Sequence, residues 1–472
     1  MTKVFNPQDW GLQMSPRGEL MVGDYNTVTL AKEYGTPLHV VNEHRLEETA
    51  KKFRESASSM YPGKTSVHYA FKCNSVPVVI QTIRRAGLKA EVMSEFELNL
   101  AFHIGYEGEE IVVNGPCKTD SFLRQCLNRR VRFIIIDSLD ELQALNQICI
   151  SEEKNANILL RINPDYIPKG MNQGSATGSR KGCAFGLDLK GGEVTTCLNL
   201  LKEMKRIHFH GFHFHIGTGI RDPREYSKAL KCLSLLLDCA YSSGLMVKIL
   251  DIGGGFASMT TRELTNRELL VYQGLERLPS GVDKSNNATF EDFAREISNA
   301  ILKYFPPDKL PEILYEPGRC IASPNQFLLL TVHRVKERPK IRKWLITDGG
   351  LGTVTMPTFY EYHEVFLCND VTRPRIEKVT IAGPVCFASD VVYRNKLMPQ
   401  VHPGEVIAIM DSGAYFTALE SSFGFAHPAI ISINLSTHRL IRRAETFEDM
   451  VCRDIFNNSI NGREEKNEIC NH

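Results

Sequence analysis

The 472-residue sequence has no apolar run that approaches the roughly 18–20 residues a helix needs to span a bilayer, so an integral membrane protein is excluded on that pattern. It has almost no net charge, with 56 Lys and Arg against 55 Asp and Glu. A strong global field is therefore missing, and neither nucleic acid nor an anionic membrane is an expected partner. Its 13 cysteines, scattered from Cys73 to Cys470, are odd in number and contain no C-x-x-C pair. Free thiols in a reducing compartment fit that pattern better than a disulfide framework. The opening Met1–Pro7 carries one positive charge and no apolar stretch, which gives no reason to expect a secretory signal. There is also no internal repeat and no low-complexity block. These absences lead to the expectation of a soluble, cytoplasmic protein. Its length suits several ordinary domains, or one large barrel with a companion, and buries a sizeable core without staples.

What is present is a regular alternation. From residue 66 to about 317, eight short β-rich runs appear: Ser66–Phe71, Lys89–Met93, Glu110–Asn114, Arg132–Asp137, Ala156–Arg161, Phe209–Ile216, Val247–Ile252 and Glu312–Glu316. Helix-like stretches such as Val76–Ala86, Glu95–His103 and Phe290–Tyr304 lie between them. Such alternation predicts βαβ units and a parallel sheet, and eight units are what a TIM barrel requires. A doubly wound open sheet is the competing arrangement. After Arg319 strand-like runs follow one another with few helical periods, predicting a second, mostly β domain. The expected division is a barrel over residues 46–320 and a β domain over 321–456. Residues 1–45 add to the β domain, and 457–472 form a polar, disordered tail. Pro164–Gly182 and Ala257–Asn287 read as loops.

Chemistry in a barrel sits where strands run out into loops, and this sequence places unusual residues there. Lys72 ends the first run, in Tyr69-Ala70-Phe71-Lys72-Cys73-Asn74. At such a position an amine lowered by burial and cationic neighbours is a candidate Schiff-base lysine; a solvated strand-end lysine is the plain alternative. Gly253, Gly254 and Gly255 follow an apolar strand and suit the approach of an anion such as phosphate, or simply a tight turn. They do not fit G-x-G-x-x-G, which excludes a dinucleotide fingerprint. Glu316-Pro317-Gly318-Arg319 pairs a carboxylate suited to a heterocycle nitrogen with a guanidinium suited to phosphate, or forms an ion pair at the rim. His208, His210, His213 and His215 lie along one run, and period-two geometry puts the first two and the last two on opposite faces. They therefore do not converge on one ion, and no metal site is expected. Cys386, between turn residues, is either an exposed reactive thiol or an ordinary buried one.

The order of these signals is specific: Y-x-x-K-x-N, H-x-H-I-G-T-G, D-I-G-G-G-F, E-P-G-R, G-P-x-C-x-x-x-D and D-x-G-A-Y. From about Thr36 to Asp454 the chain resembles the fold-type III pyridoxal-phosphate decarboxylases, the diaminopimelate, ornithine and arginine decarboxylase group. The resemblance implies an alanine-racemase-like (β/α)8 barrel followed by a mostly β domain, with pyridoxal 5'-phosphate as cofactor. It makes Lys72 the internal aldimine lysine and His215 the histidine stacked on the pyridine ring. Thr218 (in place of Ser), Gly253, Gly254, Gly255, Arg319 and Tyr415 match the phosphate cradle, and Glu316 matches the carboxylate on the pyridine nitrogen. Cys386 matches a thiol inserted into the partner's site as the acid that reprotonates the α carbon, which implies a homodimer with shared active sites. The implied reaction is α-decarboxylation of an amino acid.

Departures from the family bear on the substrate. Cys386 is followed by Phe387 where diaminopimelate enzymes have Glu and ornithine enzymes Asp. The diaminopimelate Arg-Pro pair reads Met356-Pro357, and the arginine-bearing segment after D-x-G-A-Y reads Phe425-Ala426-His427-Pro428. Without these charges a zwitterionic distal end has no partners, so a specialised amino acid or conjugate is expected in place of meso-diaminopimelate. Tyr360-Glu361 stands at the ornithine-type Tyr-Asp and retains one carboxylate for a distal amine, so Tyr360, Glu361 and Phe387 are the candidate substrate contacts. Glu91 replaces the family Asp beneath the ring, and Ala184 stands where the family often has Lys. The alternatives are a diaminopimelate decarboxylase of lysine biosynthesis, an amino-acid racemase and a non-catalytic cofactor-binding relative. A racemase usually sets Arg on the ring nitrogen, whereas Glu316 and Cys386 favour decarboxylation.

Overall fold

The computed structural model describes residues 5–169, 182–284 and 287–455. Eight parallel strands close into a barrel: β1 Thr65–Ala70, β2 Lys89–Val92, β3 Ile111–Val113, β4 Phe133–Ile136, β5 Ala156–Asn163, β6 Ile207–Phe214, β7 Ile249–Asp251 and β8 Glu312–Tyr315. β5 pairs with both β4 and β6, and β8 pairs back onto β1, which removes every sheet edge and excludes the open doubly wound sheet. All eight runs read from the sequence are strands. They stand out because a barrel strand is covered on both faces and reads as a continuous apolar run; Phe133, Ile134, Ile135 and Ile136 of β4 are all buried.

The barrel interior is layered. Val112, Phe133, Ile135, Leu159, Ile249 and Leu314 form an apolar plug. Two residues further along the same strands the inward positions turn polar, with Asn114, Asp137, Arg161, Asp251 and Glu316 all buried.

A second sheet runs through Arg375–Ala382, Arg342–Thr347, Gln326–Arg338, Leu38–Asn42, Ala429–Asn434 and Thr437–Arg442. Leu38–Asn42 pairs antiparallel with Gln326–Arg338 and parallel with Ala429–Asn434, so an N-terminal strand lies at the centre of a sheet built mostly from the C-terminal half. Separate apolar clusters pack on the two faces of this sheet.

Two expectations need correction. Ala257–Asn287 is no simple loop: Arg262–Glu263 pairs with Glu361–Tyr362, and a helix spans Asn266–Leu275. Thr265 and Glu268 cap that helix reciprocally, a T-x-x-E signature present in the sequence. Pro164–Gly182, the other expected loop, lies largely outside the described residues. The second correction concerns the histidines. β6 carries a bulge between Phe209 and Gly211, where a Cβ on Gly211 would stand 1.8 Å from the Ile249 carbonyl oxygen. The bulge breaks the period of two. It turns His210 toward Phe133 of the interior plug, at a ring separation of 5.2 Å, while His208 stays exposed.

Candidate active site

Lys72 lies in a single 3₁₀ turn, Phe71–Cys73, just past the end of β1. Its turn is tied to the β domain, because the Tyr415 N–H donates to the Cys73 carbonyl at 2.8 Å and Asn74 Nδ2 donates to the Gly413 carbonyl at 3.0 Å. The Lys72 amine is 2.6 Å from Glu91 Oε2. Among the described residues the charges that act on it most are carboxylates, not the cations expected to lower it. Burial does push the amine toward its neutral form, but Glu91 and Glu316 outweigh burial and hold it charged. Glu91 is itself buried, and burial raises its carboxyl above the usual range despite Lys72. The pair is therefore an ammonium in contact with a buried carboxylate.

Glu316 and Asp251, at the ends of the neighbouring strands β8 and β7, sit beside His213 in the polar layer. One nitrogen of His213 and one oxygen from each carboxylate lie within 4.8 Å of one another. His213 Nε2 is 3.3 Å from Glu316 Oε2 and 3.3 Å from Asn114 Nδ2. Burial, followed by repulsion from Glu316, raises Asp251 well above the carboxylate range, and burial raises Glu316 as well. Asp251 is held in place by the Gly253 N–H, which donates to Oδ1 at 2.9 Å. His213 is driven neutral by burial and by Arg161. Glu316 Oε1, Asp251 Oδ2 and His213 Nδ1 are buried without an ordinary hydrogen-bond partner.

The three glycines are required by close approach of backbone. A Cβ on Gly253, Gly254 or Gly255 would come within 2.3 Å of the carbonyl oxygen of Phe214, Glu316 or Gly217 respectively. Gly253 and Gly255 also have φ of +64° and +97°. His215, beyond β6, lies against this loop, with the Gly254 N–H directed at its Nδ1 at 3.4 Å, and burial holds it neutral. Thr218 is part-exposed just beyond it. Arg319, on the short helix after β8, is buried with its guanidinium 4.9 Å from the Tyr415 ring centre. Tyr415 sits at φ +65° in the D-x-G-A-Y turn. That turn is fixed by buried Asp411, which accepts from Trp10 Nε1 at 2.8 Å, Ser258 Oγ at 3.1 Å and Thr260 Oγ1 at 2.5 Å.

Glu361, the candidate contact for a substrate's distal amine, is buried with both carboxylate oxygens beside other side chains: its Oε1 is 2.7 Å from Arg319 Nη1 and its Oε2 is 2.9 Å from His363 Nε2. Burial opposes its ionisation, yet Arg319 and His363 hold it below the usual range. Sequence reasoning missed His363, which carries no local signal. Tyr360 is part-buried beside the pair. Cys386 and Phe387 are exposed, on a tight turn braced by Asp390, which accepts from the Val385 N–H at 2.7 Å and the Leu351 N–H at 2.6 Å. Among the described residues no contact joins Cys386 to Lys72.

Lys72, Glu316, the glycine loop and Arg319 share one kind of spare capacity: an amine for an aldehyde, buried oxygens for a ring nitrogen, backbone and guanidinium for a phosphate. This is a barrel that takes pyridoxal phosphate, and its polar mouth fits that group. The chain belongs to the pyridoxal-dependent decarboxylases: residues 46–323, more than half of it, match the family described as "Pyridoxal-dependent decarboxylase, pyridoxal binding domain". It is an amino-acid decarboxylase that uses pyridoxal phosphate. A diaminopimelate decarboxylase of Methanocaldococcus jannaschii is 28% identical over 448 residues, spanning 93% of this chain and 95% of that one. One from Bacillus subtilis is 28% identical over 453 residues, with 94% and 97% covered. The crystal structure of the M. jannaschii enzyme in co-complex with L-lysine matches with a TM-score of 0.82 at 28% identity, covering 94% of this chain and 98% of that one.

Proposed function

We propose that the protein releases CO2 from the α carbon of a specialised amino acid or amino-acid conjugate, working as a homodimer. The observation that carries the reading is the meeting of Lys72, Glu316 and the glycine loop at one end of the barrel, with acids rather than bases at the ring-nitrogen position. Bound pyridoxal phosphate supplies an electron sink for the carbanion left by departing CO2.

The chain's own residues do the rest. Lys72 Nζ would hold the cofactor, and Glu91 Oε2, 2.6 Å away, orients the amine. Glu316, raised by burial against the pull of Lys72 and Asp251, would face the ring nitrogen, where a carboxylate favours electron withdrawal. His215, held neutral by burial, would lie beside the cofactor ring without adding a competing charge. Arg319, Tyr415, Thr218 and Gly253–Gly255 hold the phosphate. Cys386, projected outward on its braced turn, supplies the proton to the α carbon in the other subunit.

The distal end of the substrate meets few charges. Met356 is buried at 4% exposure, Phe387 is half exposed, and His427 Nδ1 is already 2.9 Å from Glu445. Tyr360 and Phe387 are the remaining distal contacts. A second reading, meso-diaminopimelate as substrate, draws on the relatives named for that activity.

The deciding experiment is CO2 release across lysine, ornithine, arginine, glutamate, both diaminopimelate stereoisomers, D-enantiomers and diaminopropionate conjugates, with Lys72→Ala as blank. Release from an amino acid without a distal zwitterion supports the first reading, and strong preference for meso-diaminopimelate replaces it with the second.

A further inference from the structure

His363 lies outside the barrel, just past the strand Glu361–Tyr362, yet it touches the residue that pairs with Arg319. Both of its ring nitrogens face acceptors: Nδ1 is 2.7 Å from the Met410 carbonyl oxygen and Nε2 is 2.9 Å from Glu361 Oε2. A carbonyl oxygen offers no proton, so Nδ1 carries a hydrogen. Glu361 offers none either, because Arg319 Nη1 stands 2.7 Å from its other oxygen and a protonated Glu361 would strand that buried guanidinium without a counter-ion. Nε2 therefore carries a hydrogen as well, and the ring is an imidazolium.

The consequence is electrostatic. A guanidinium and a carboxylate alone would present a neutral pair to a phosphate dianion. With His363 at the other end, one carboxylate is clamped between two cations and the chain keeps one positive charge. The clamp is braced from every side. Tyr393 Oη accepts from the His363 N–H at 2.6 Å and donates to the Glu361 carbonyl at 2.9 Å. Thr261 Oγ1 donates to the Tyr362 carbonyl at 2.7 Å, and the Phe416 ring lies 5.3 Å from the imidazole. Lys396 Nζ donates to the His363 carbonyl at 3.0 Å, and Arg375 is occupied by Glu364 at 2.5 Å.

We propose that His363 is a positioning residue for the cofactor's phosphate: it pins Glu361 against Arg319 and so fixes the direction and net charge of the Arg319 guanidinium. The inference rests on Arg319 as a phosphate ligand. It also places Glu361 on the phosphate side of the site, away from the substrate.

The test is titration of the apoprotein with pyridoxal phosphate and with pyridoxal, which differ only in the phosphate. His363→Leu is expected to weaken pyridoxal phosphate about tenfold and leave pyridoxal unchanged, because charge-assisted hydrogen bonds of this kind contribute on that scale. His363→Gln, which keeps a donor toward Glu361 but carries no charge, recovers only the part of the loss that comes from direction. Arg319→Met is the reference: if it too leaves the preference for the phosphorylated form intact, the phosphate assignment falls and the proposal with it. If Arg319→Met abolishes the preference while a folded His363→Leu keeps it, the proposal alone is overturned. Should His363→Leu fail to fold, nitrogen-15 spectra of the wild-type protein decide, since a His363 ring with only one N–H overturns the imidazolium.

Discussion

Two buried polar networks meet at the mouth of the barrel, one around Glu316 and one around Glu361, and they differ in how their charges are balanced. Around Glu316 the inward carboxylates and His213 leave three buried polar atoms without ordinary partners, and Asp251 is raised well above the carboxylate range. Around Glu361, Arg319 and His363 each stand against one carboxylate oxygen, and tyrosine and lysine side chains hold the surrounding backbone, although Glu361 Oε1 and Arg319 Nε also lack a directed hydrogen bond. Unpartnered buried polar atoms cost stability, so a fold keeps them only where something else completes them. The first network, acid against acid, is reserved for a bound group; the second is closed in charge and serves as a frame, with Arg319 Nε left over for that group. Substitutions in the first should therefore cost activity more than stability, and the reverse should hold in the second.

The sharpest break of that contrast comes from Lys72. Lys72→Ala is expected to reduce CO2 release about a thousandfold or more, since Lys118, a buried amine beyond β3, is held 2.8 Å from Glu141. Glu316→Gln keeps the shape and removes the charge at the ring nitrogen, with an expected loss in kcat of about 100- to 1000-fold and little change in the urea midpoint. Glu361→Leu should do the opposite in kind: two buried cations lose their counter-ion, and unfolding free energy falls by about 3 kcal/mol or more. Urea denaturation of the two glutamate variants side by side checks this. If Glu316→Gln destabilises the protein more than Glu361→Leu, the distinction between a reserved and a closed network is wrong.

The same contrast separates what the sequence discloses from what it hides. The eight strands and the residues at their ends, Lys72, Gly253–Gly255 and Glu316, are legible because each announces itself locally: an apolar run stops and an unsuitable residue follows. The Arg319–Glu361–His363 chain is not legible, because its members come from separate elements and only the tertiary fold brings them together. Glu361 was therefore expected at the substrate, where its motif position would put it. Lys72 shows the same limit, since its charged state depends on Glu91 of the next strand. The helix Asn266–Leu275 went unread for a different reason: with Leu270 and Leu275 exposed it shows no clean apolar face, and only its Thr265–Glu268 cap marks it. The bulge before Gly211 likewise defeats period-two reasoning, because nothing in the local pattern shows that a Cβ there would strike the neighbouring strand.

The smallest expected effect probes the far end of the closed network. Lys396 is buried at 1% exposure, its amine 3.8 Å from the Tyr362 ring centre and 3.9 Å from Glu364 Oε1. Burial, opposed by Glu364 and assisted by Arg375, lowers it from 10.5 to about 8. In the unfolded chain the same amine stays protonated up to about 10.4. Between those values the unfolded state binds more protons, so stability should rise with pH across the window, by up to about 1.4 kcal/mol per unit from this group. Below pH 8 both states are protonated and the penalty is constant. Lys396→Met should flatten that rise, and urea unfolding at pH 7.5, 9 and 10 reads the difference from wild type. Other groups titrate in the same range, but they do so in both proteins, so the difference isolates Lys396. A neutral amine still donates to the His363 carbonyl, so the frame keeps its geometry as Lys396 loses its charge. Affinity for pyridoxal phosphate should then stay flat where stability climbs, and an affinity that followed the Lys396 titration would mean that charge from the frame reaches the reserved network after all.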